Sequence, residues 1–96
     1  MIAWVLYDIQ KDKARTKVAK LCKQAGLYRV QKSVFLGTLT ANEKDTLELQ
    51  IEELIDEEVD SVYIFPMSKN ELQDTVLLGQ AFDKGMVTDE VRELFF

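Results

Sequence analysis

Ile2-Ala3-Trp4-Val5-Leu6-Tyr7, closed by Asp8, is an apolar run with no polar face. On a strand, Ile2, Trp4 and Leu6 point to one side and Ala3, Val5 and Tyr7 to the other. A strand apolar at both parities has no solvent side, so it belongs in the middle of a sheet. The run is too short to span a bilayer, and it lacks the charged and small-residue flanks of a secretory leader. A central strand is a rigid mount, and the residue at its end is a lone carboxylate. Asp8 therefore reads either as a ligand or as a turn residue.

Working outward, Ile9-Gln10-Lys11-Asp12-Lys13 is polar, and Asp12 is the candidate N-cap of the next element. Ala14, Val18, Leu21, Cys22 and Ala25 recur at helical spacing, and Gly26 follows where a left-handed cap is wanted. The expectation is an amphipathic helix over about residues 12–25. Lys13, Lys17 and Lys20 form a basic ridge on it, extended by Lys23, while Lys11 and Arg15 lie on its flank near the end of the first strand. Taken alone, a lysine ridge reads as a solvated helix face; a surface for phosphate is the other reading.

Residues 27–39 are rich in β-formers. The alternation Tyr28-Arg29-Val30-Gln31 breaks at Lys32-Ser33 and resumes, giving two tightly joined strands or one strand bent by a bulge. Gly37 marks an expected second irregularity. Thr40-Ala41-Asn42-Glu43 has the form of a capping box, and Leu47, Ile51, Leu54 and Ile55 carry a second helix to about Glu57. Its outer face, Glu48, Glu52, Glu53, Asp56, Glu57 and Glu58, lacks the glycine and ligand spacing of a calcium loop and reads as solvated.

Asp60 to Met67 is the last core strand, again apolar on both faces, with Pro66 confined to a strand end or a sheet edge. The order β-α-β-β-α-β is the ferredoxin-like α+β arrangement, two helices on one face of an antiparallel sheet. It is complete by residue 67. Residues 68–96 read as a C-terminal tail of the same domain, for dimerisation or partner docking. In it Thr75–Gly79 resembles one more short strand, Asp83-Lys84-Gly85 a turn, and Thr88 the cap of a short terminal helix with Val91, Leu94 and Phe95 on one side. The open sheet face has no evident cover of its own, so a second copy or another protein is expected there.

The chain is 96 residues long and 47% hydrophobic, enough for one packed domain. It contains no histidine and one cysteine, which removes Ser-His and Cys-His nucleophiles, imidazole zinc sites and an intrachain disulfide. Cys22 falls on the apolar helix stripe as small core filler, and the cysteine usage suits a cytoplasmic protein. Net charge is −5, yet residues 1–39 carry eight lysines and arginines against two acids. A chain polarised in this way offers phosphate a basic face although its total is acidic.

Leu6-Tyr7-Asp8-Ile9, Arg15 and Val18, Gly26, Arg29-Val30-Gln31-Lys32-Ser33-Val34-Phe35 and Asp60-Ser61-Val62-Tyr63-Ile64-Phe65-Pro66 stand in an order and spacing that resembles a known family. It is the small CRISPR-associated adaptation protein, the non-integrase subunit of the spacer-acquisition complex. The resemblance implies a ferredoxin-like homodimer with sheets face to face and a C-terminal strand that joins the partner's sheet. It implies a magnesium-dependent endonuclease, Mn2+ being an alternative ion, acting on single-stranded RNA or double-stranded DNA. It also implies a bridge, one dimer joining two dimers of the CRISPR integrase. The family's metal-site aspartate falls on Asp8, and its other site residues on Tyr7, Arg15, Arg29 and Phe35. A second helix position that is often arginine is Lys17 here, which keeps the charge but loses the bidentate fork. Lys13, Arg15, Lys17, Lys20 and Arg29 are the expected nucleic-acid contacts.

Two function classes follow. One is a metal-dependent phosphodiesterase with Asp8 as ligand. The other is a structural bridge that holds DNA while Asp8 stays idle. A toxin-like ribonuclease of the virulence-associated protein D kind, which shares the fold, is the third reading.

Overall fold

A computed structural model describes residues 1–82. The elements run β1 (Ile2–Asp8), α1 (Asp12–Gln24), β2 (Tyr28–Gln31), β3 (Val34–Thr38), α2 (Ala41–Glu52), β4 (Ser61–Met67) and α3 (Lys69–Gln73). The sheet is antiparallel with strand order β2-β3-β1-β4, so β1 lies inside it as its two-sided apolarity requires. This is the expected ferredoxin-like topology.

The two faces of β1 are packed differently. Ala3, Val5 and Tyr7 join Val18, Ala19 and Cys22 of α1, Leu47 and Ile51 of α2, and Phe35 of β3 in the main core. Ile2 and Trp4 lie on the opposite face with Val30, Leu36 and Leu72. Contrary to expectation, this second face has a cover of its own. Leu72 of α3 is fully buried on it, and the Phe82 ring lies 6.0 Å from that of Trp4. The sequence hides this cover because Leu72 is a single apolar residue in a polar run, with no period to mark it.

Several element boundaries also differ from expectation. Asp12 is the first helical residue and Lys11 the N-cap, without a side-chain cap. The Asp12 carboxylate is taken instead by the Arg15 guanidinium three residues on. Helix α2 opens on the foreseen capping box: Thr40 accepts from the Glu43 N–H at 3.1 Å, and Glu43 accepts from the Thr40 N–H at 2.9 Å. It ends at Glu52, short of Glu57. Its last turn carries no base, and continued helix would set Glu53, Asp56, Glu57 and Glu58 against the negative end of the helix dipole. Those side chains are exposed in the turns that follow.

Strands β2 and β3 are joined at Lys32-Ser33, with a bulge between Arg29 and Gln31 that leaves Val30 as the extra residue. Gly37 is not irregular. It pairs in register with Ala3, and a Cβ there would sit 2.9 Å from Leu27 Cδ2 and 3.1 Å from Leu27 Cα. Its bareness lets the chain leaving Gly26, at φ +93°, cross close over β3. Strand β4 is an edge, so Pro66 is tolerated there, and Tyr63 and Phe65 are exposed rather than core. Thr75–Gly79 forms no strand, because no strand of the described chain lies beside it to pair with; Val76 and Leu78 are largely exposed. The turn expected at Asp83-Lys84-Gly85 and the helix expected after Thr88 lie outside the described residues.

Candidate functional site

Strand alternation sorts the site residues. Tyr7 points with Ala3 and Val5 into the helix-covered face, whereas Asp8 shares the parity of Ile2, Trp4 and Leu6 and belongs to the other. Asp8 pairs with Ser61 across to β4 and is exposed. The loop behind it is fixed by Asp60. One carboxylate oxygen of Asp60 accepts from the Gln10 N–H at 2.8 Å and the other from the Asp56 N–H at 2.8 Å. Those two backbone donors, with Gln10 the larger influence, hold the Asp60 carboxyl below its ordinary range. The clamp ties the segment after Asp8 to the turn before β4.

On the other face, the end of β1, the start of α1, β2 and the β2–β3 turn enclose a cleft of about 420 Å³ lined by Tyr7, Arg15, Thr16, Arg29, Lys32 and Ser33. Three of the six are cations and three carry hydroxyls. Arg15 donates to the Ile9 carbonyl at 3.2 Å and pairs with Asp12. The Arg29 guanidinium lies over the Phe35 ring, 5.1 Å from its centroid, and its Nε is buried without a hydrogen-bond partner. Tyr7 and Phe35 are stacked at 6.3 Å, and the Tyr7 hydroxyl makes only a long contact, 3.5 Å, to the Lys32 carbonyl.

The structure thus brings Tyr7, Arg15, Arg29 and Phe35 together and sets Asp8 back to back with them. Phe35 is fully buried, so its part is to carry the Arg29 cation and the Tyr7 ring rather than to touch a ligand. Lys13, Lys17 and Lys20 are exposed along α1, and among the described residues no carboxylate pairs with them. Thr16, Lys32 and Ser33 were not foreseen in the site. Lys32-Ser33 reads in sequence only as a break in alternation, and the turn it forms is what turns those side chains toward Arg29. Cys22 is no nucleophile: burial pushes its thiol up to about 12, against a smaller lowering by Arg29.

Among the described residues no three His, Cys, Asp or Glu side chains cluster as metal ligands. Magnesium commonly takes one or two carboxylates together with water and substrate phosphate. Asp8 fits half of such a site.

The architecture defines a ferredoxin-like split βαβ domain with a charged site at one end of its sheet. A family model described as CRISPR associated protein Cas2 matches residues 1–75, and the chain belongs to that family. It is a CRISPR-associated protein. The CRISPR-associated endoribonuclease Cas2 1 of Archaeoglobus fulgidus is 37% identical over 67 residues, covering 70% of this chain and 71% of that one. The CRISPR-associated endonuclease Cas2 of Halalkalibacterium halodurans is 37% identical over 75 residues, covering 73% and 77%. A crystal structure of Streptococcus pyogenes Cas2 at pH 6.5 superposes with a TM-score of 0.68 at 32% identity, covering 82% of this chain and 100% of that chain.

Proposed function

We propose that the chain acts in CRISPR spacer acquisition as a homodimeric nucleic-acid-binding subunit, with a metal-dependent phosphodiesterase site formed by Asp8 of both copies. One observation carries this reading. Asp8 is an exposed carboxylate at the end of the central strand, on the sheet face where Tyr63 and Phe65 also stay open. A second copy laid on that face by a two-fold axis brings the two carboxylates toward one another. The pair then suits Mg2+, or Mn2+, which the lone Asp8 does not. Such an ion, when bound, activates water and neutralises charge on the phosphoryl group. The chain's own part is to hold the strand: Arg15 and Arg29 on flanking phosphates, with Lys13, Lys17 and Lys20 along the backbone beyond. One relative is named an endoribonuclease and another an endonuclease, so RNA and DNA both stand as substrates. The integrase docks on the tail, where Val76, Leu77 and Leu78 are exposed in succession.

The bridge reading, with Asp8 idle, is favoured by a different observation: the cationic residues and the carboxylate sit on opposite faces of the sheet. Asp8→Asn separates the two. It keeps size and hydrogen-bonding reach and removes the charge from both copies. In the purified protein with Mg2+, cleavage should fall to background while dimer and DNA affinity persist. Wild-type cleavage by Asp8→Asn would make Asp8 a turn residue. Spacer acquisition is scored separately; its survival in the mutant supports the bridge as the cellular role.

A further inference from the structure

The cleft on the helix-covered face raises a question apart from hydrolysis. Its lining has three cations and three hydroxyls and no carboxylate. Arg15 already has a counter-charge in Asp12 and an acceptor in the Ile9 carbonyl, with the rest of its fork left for a flanking phosphate. Arg29 and Lys32 differ: among the described residues neither has an anionic partner, and the Arg29 Nε is buried without any acceptor. A half-buried guanidinium pressed on an aromatic ring and left without a counter-charge is costly unless an external anion completes it. The Tyr7 hydroxyl, with only its long contact to Lys32, is a further donor at the same wall.

Size and shape narrow the ligand. About 420 Å³ is the scale of a small molecule, not of a duplex. Its lining is drawn from β1, α1, β2 and the β2–β3 turn, and the clustered cations with hydroxyl donors suit a compact, doubly charged group at the end of a strand better than a diester in its middle. A terminal phosphomonoester carries close to two negative charges at neutral pH, more than an internal diester, and matches paired cations with hydroxyl donors. We propose that this cleft binds the terminal phosphate of a nucleic-acid strand, with Arg29 and Lys32 as its charge partners and Thr16 and Ser33 as hydroxyl donors. The site does not depend on Asp8, which lies behind it on the opposite face.

The test uses single-stranded oligonucleotides of one sequence carrying a 5′-phosphate, a 3′-phosphate or hydroxyls at both ends. Binding to the full chain is followed by fluorescence anisotropy in EDTA, so that no cleavage intervenes. A phosphorylated end should bind about tenfold more tightly than the hydroxyl form, the effect of one additional charge-assisted contact. Preference at either end supports the site and shows which end enters it; equal affinity for all three overturns it. Inorganic phosphate should compete away the extra affinity alone, whereas equal competition against every oligonucleotide would mean only general screening. Lys32→Gln, at an exposed turn where folding is not at risk, should bring the ratio to about one and leave the hydroxyl-ended strand unchanged. Arg29→Gln should also bring the ratio to about one but, since Arg29 holds flanking phosphates as well, should weaken binding of all three oligonucleotides, with circular dichroism to check its contact on Phe35. A preference that persists in Lys32→Gln places the phosphate elsewhere and overturns the assignment.

Discussion

Asp60 shows how much one carboxylate governs at the end of the sheet. It accepts two backbone N–H groups, from Gln10 and Asp56, and so joins the segment after Asp8 to the turn before β4. Its folded-state pKa lies below the ordinary 3.8. The stabilisation is therefore full above that value and is lost as pH falls through the lower folded-state pKa. In urea melts, wild type should exceed Asp60→Ala in stability at neutral pH, and the two curves should draw together only as pH falls below 3.8 and through the lower folded-state pKa. A constant difference down to acid pH would assign the effect to packing instead. The residue scale is also where sequence was most limited. Tyr7, Arg15 and Arg29 were named through a family resemblance, and the fold does gather them. Lys32, Ser33 and Thr16 have no periodicity or composition to distinguish them, and only the turn between β2 and β3 and the start of α1 bring them into the cleft.

Among the elements, the two-sided β1 and the stripe of α1 were legible because each carries its own period. The cover of the second sheet face was not. Helix α3 is five residues long and buries one of them, Leu72. That residue lies on Ile2, Trp4, Val30 and Leu36, and Gln31 helps to hold the following chain by donating its side-chain amide to the Gln80 carbonyl. Leu72→Ala should cost about 2–5 kcal/mol in denaturant unfolding, as for a buried leucine. A loss under 0.5 kcal/mol would mark α3 as an ornament rather than core. The composition of Thr75–Gly79 is that of a strand, but a strand is defined by pairing, and among the described residues no strand lies beside it. Helix α1 makes a different prediction. Replacing Lys13, Lys17 and Lys20 together by Glu should weaken DNA binding equally for all sequences and flatten the log–log salt slope by roughly 2–3. Unchanged affinity and slope would leave the ridge a solvated face.

At the scale of the whole molecule, the expected homodimer rests on the sheet face that Leu72 and Phe82 cover only in part. Tyr63 and Phe65 stack on each other at 6.0 Å and remain 56% and 46% exposed on the edge strand. Adjacent exposed rings on a strand edge are a liability for a monomer and an asset to a pair. Light scattering at micromolar concentration should return twice the mass of the 11.1 kDa chain. Tyr63→Lys combined with Phe65→Lys should return the single mass with an unchanged circular dichroism spectrum. A wild type that stays at the single mass removes the dimer, and with it the paired Asp8 site.

Tyr7 and Asp8 are consecutive residues whose side chains leave opposite faces of β1. Their separation has a consequence for inheritance. A substitution at Asp8 reaches no side chain that lines the cleft, and a substitution at Lys32 or Ser33 leaves the strand-end carboxylate in place. Selection can therefore erode one of the two properties in a lineage while it preserves the other. Descendants that have lost an acid at the position of Asp8 but keep cations at those of Arg29 and Lys32 are then the natural record of which property the host has needed.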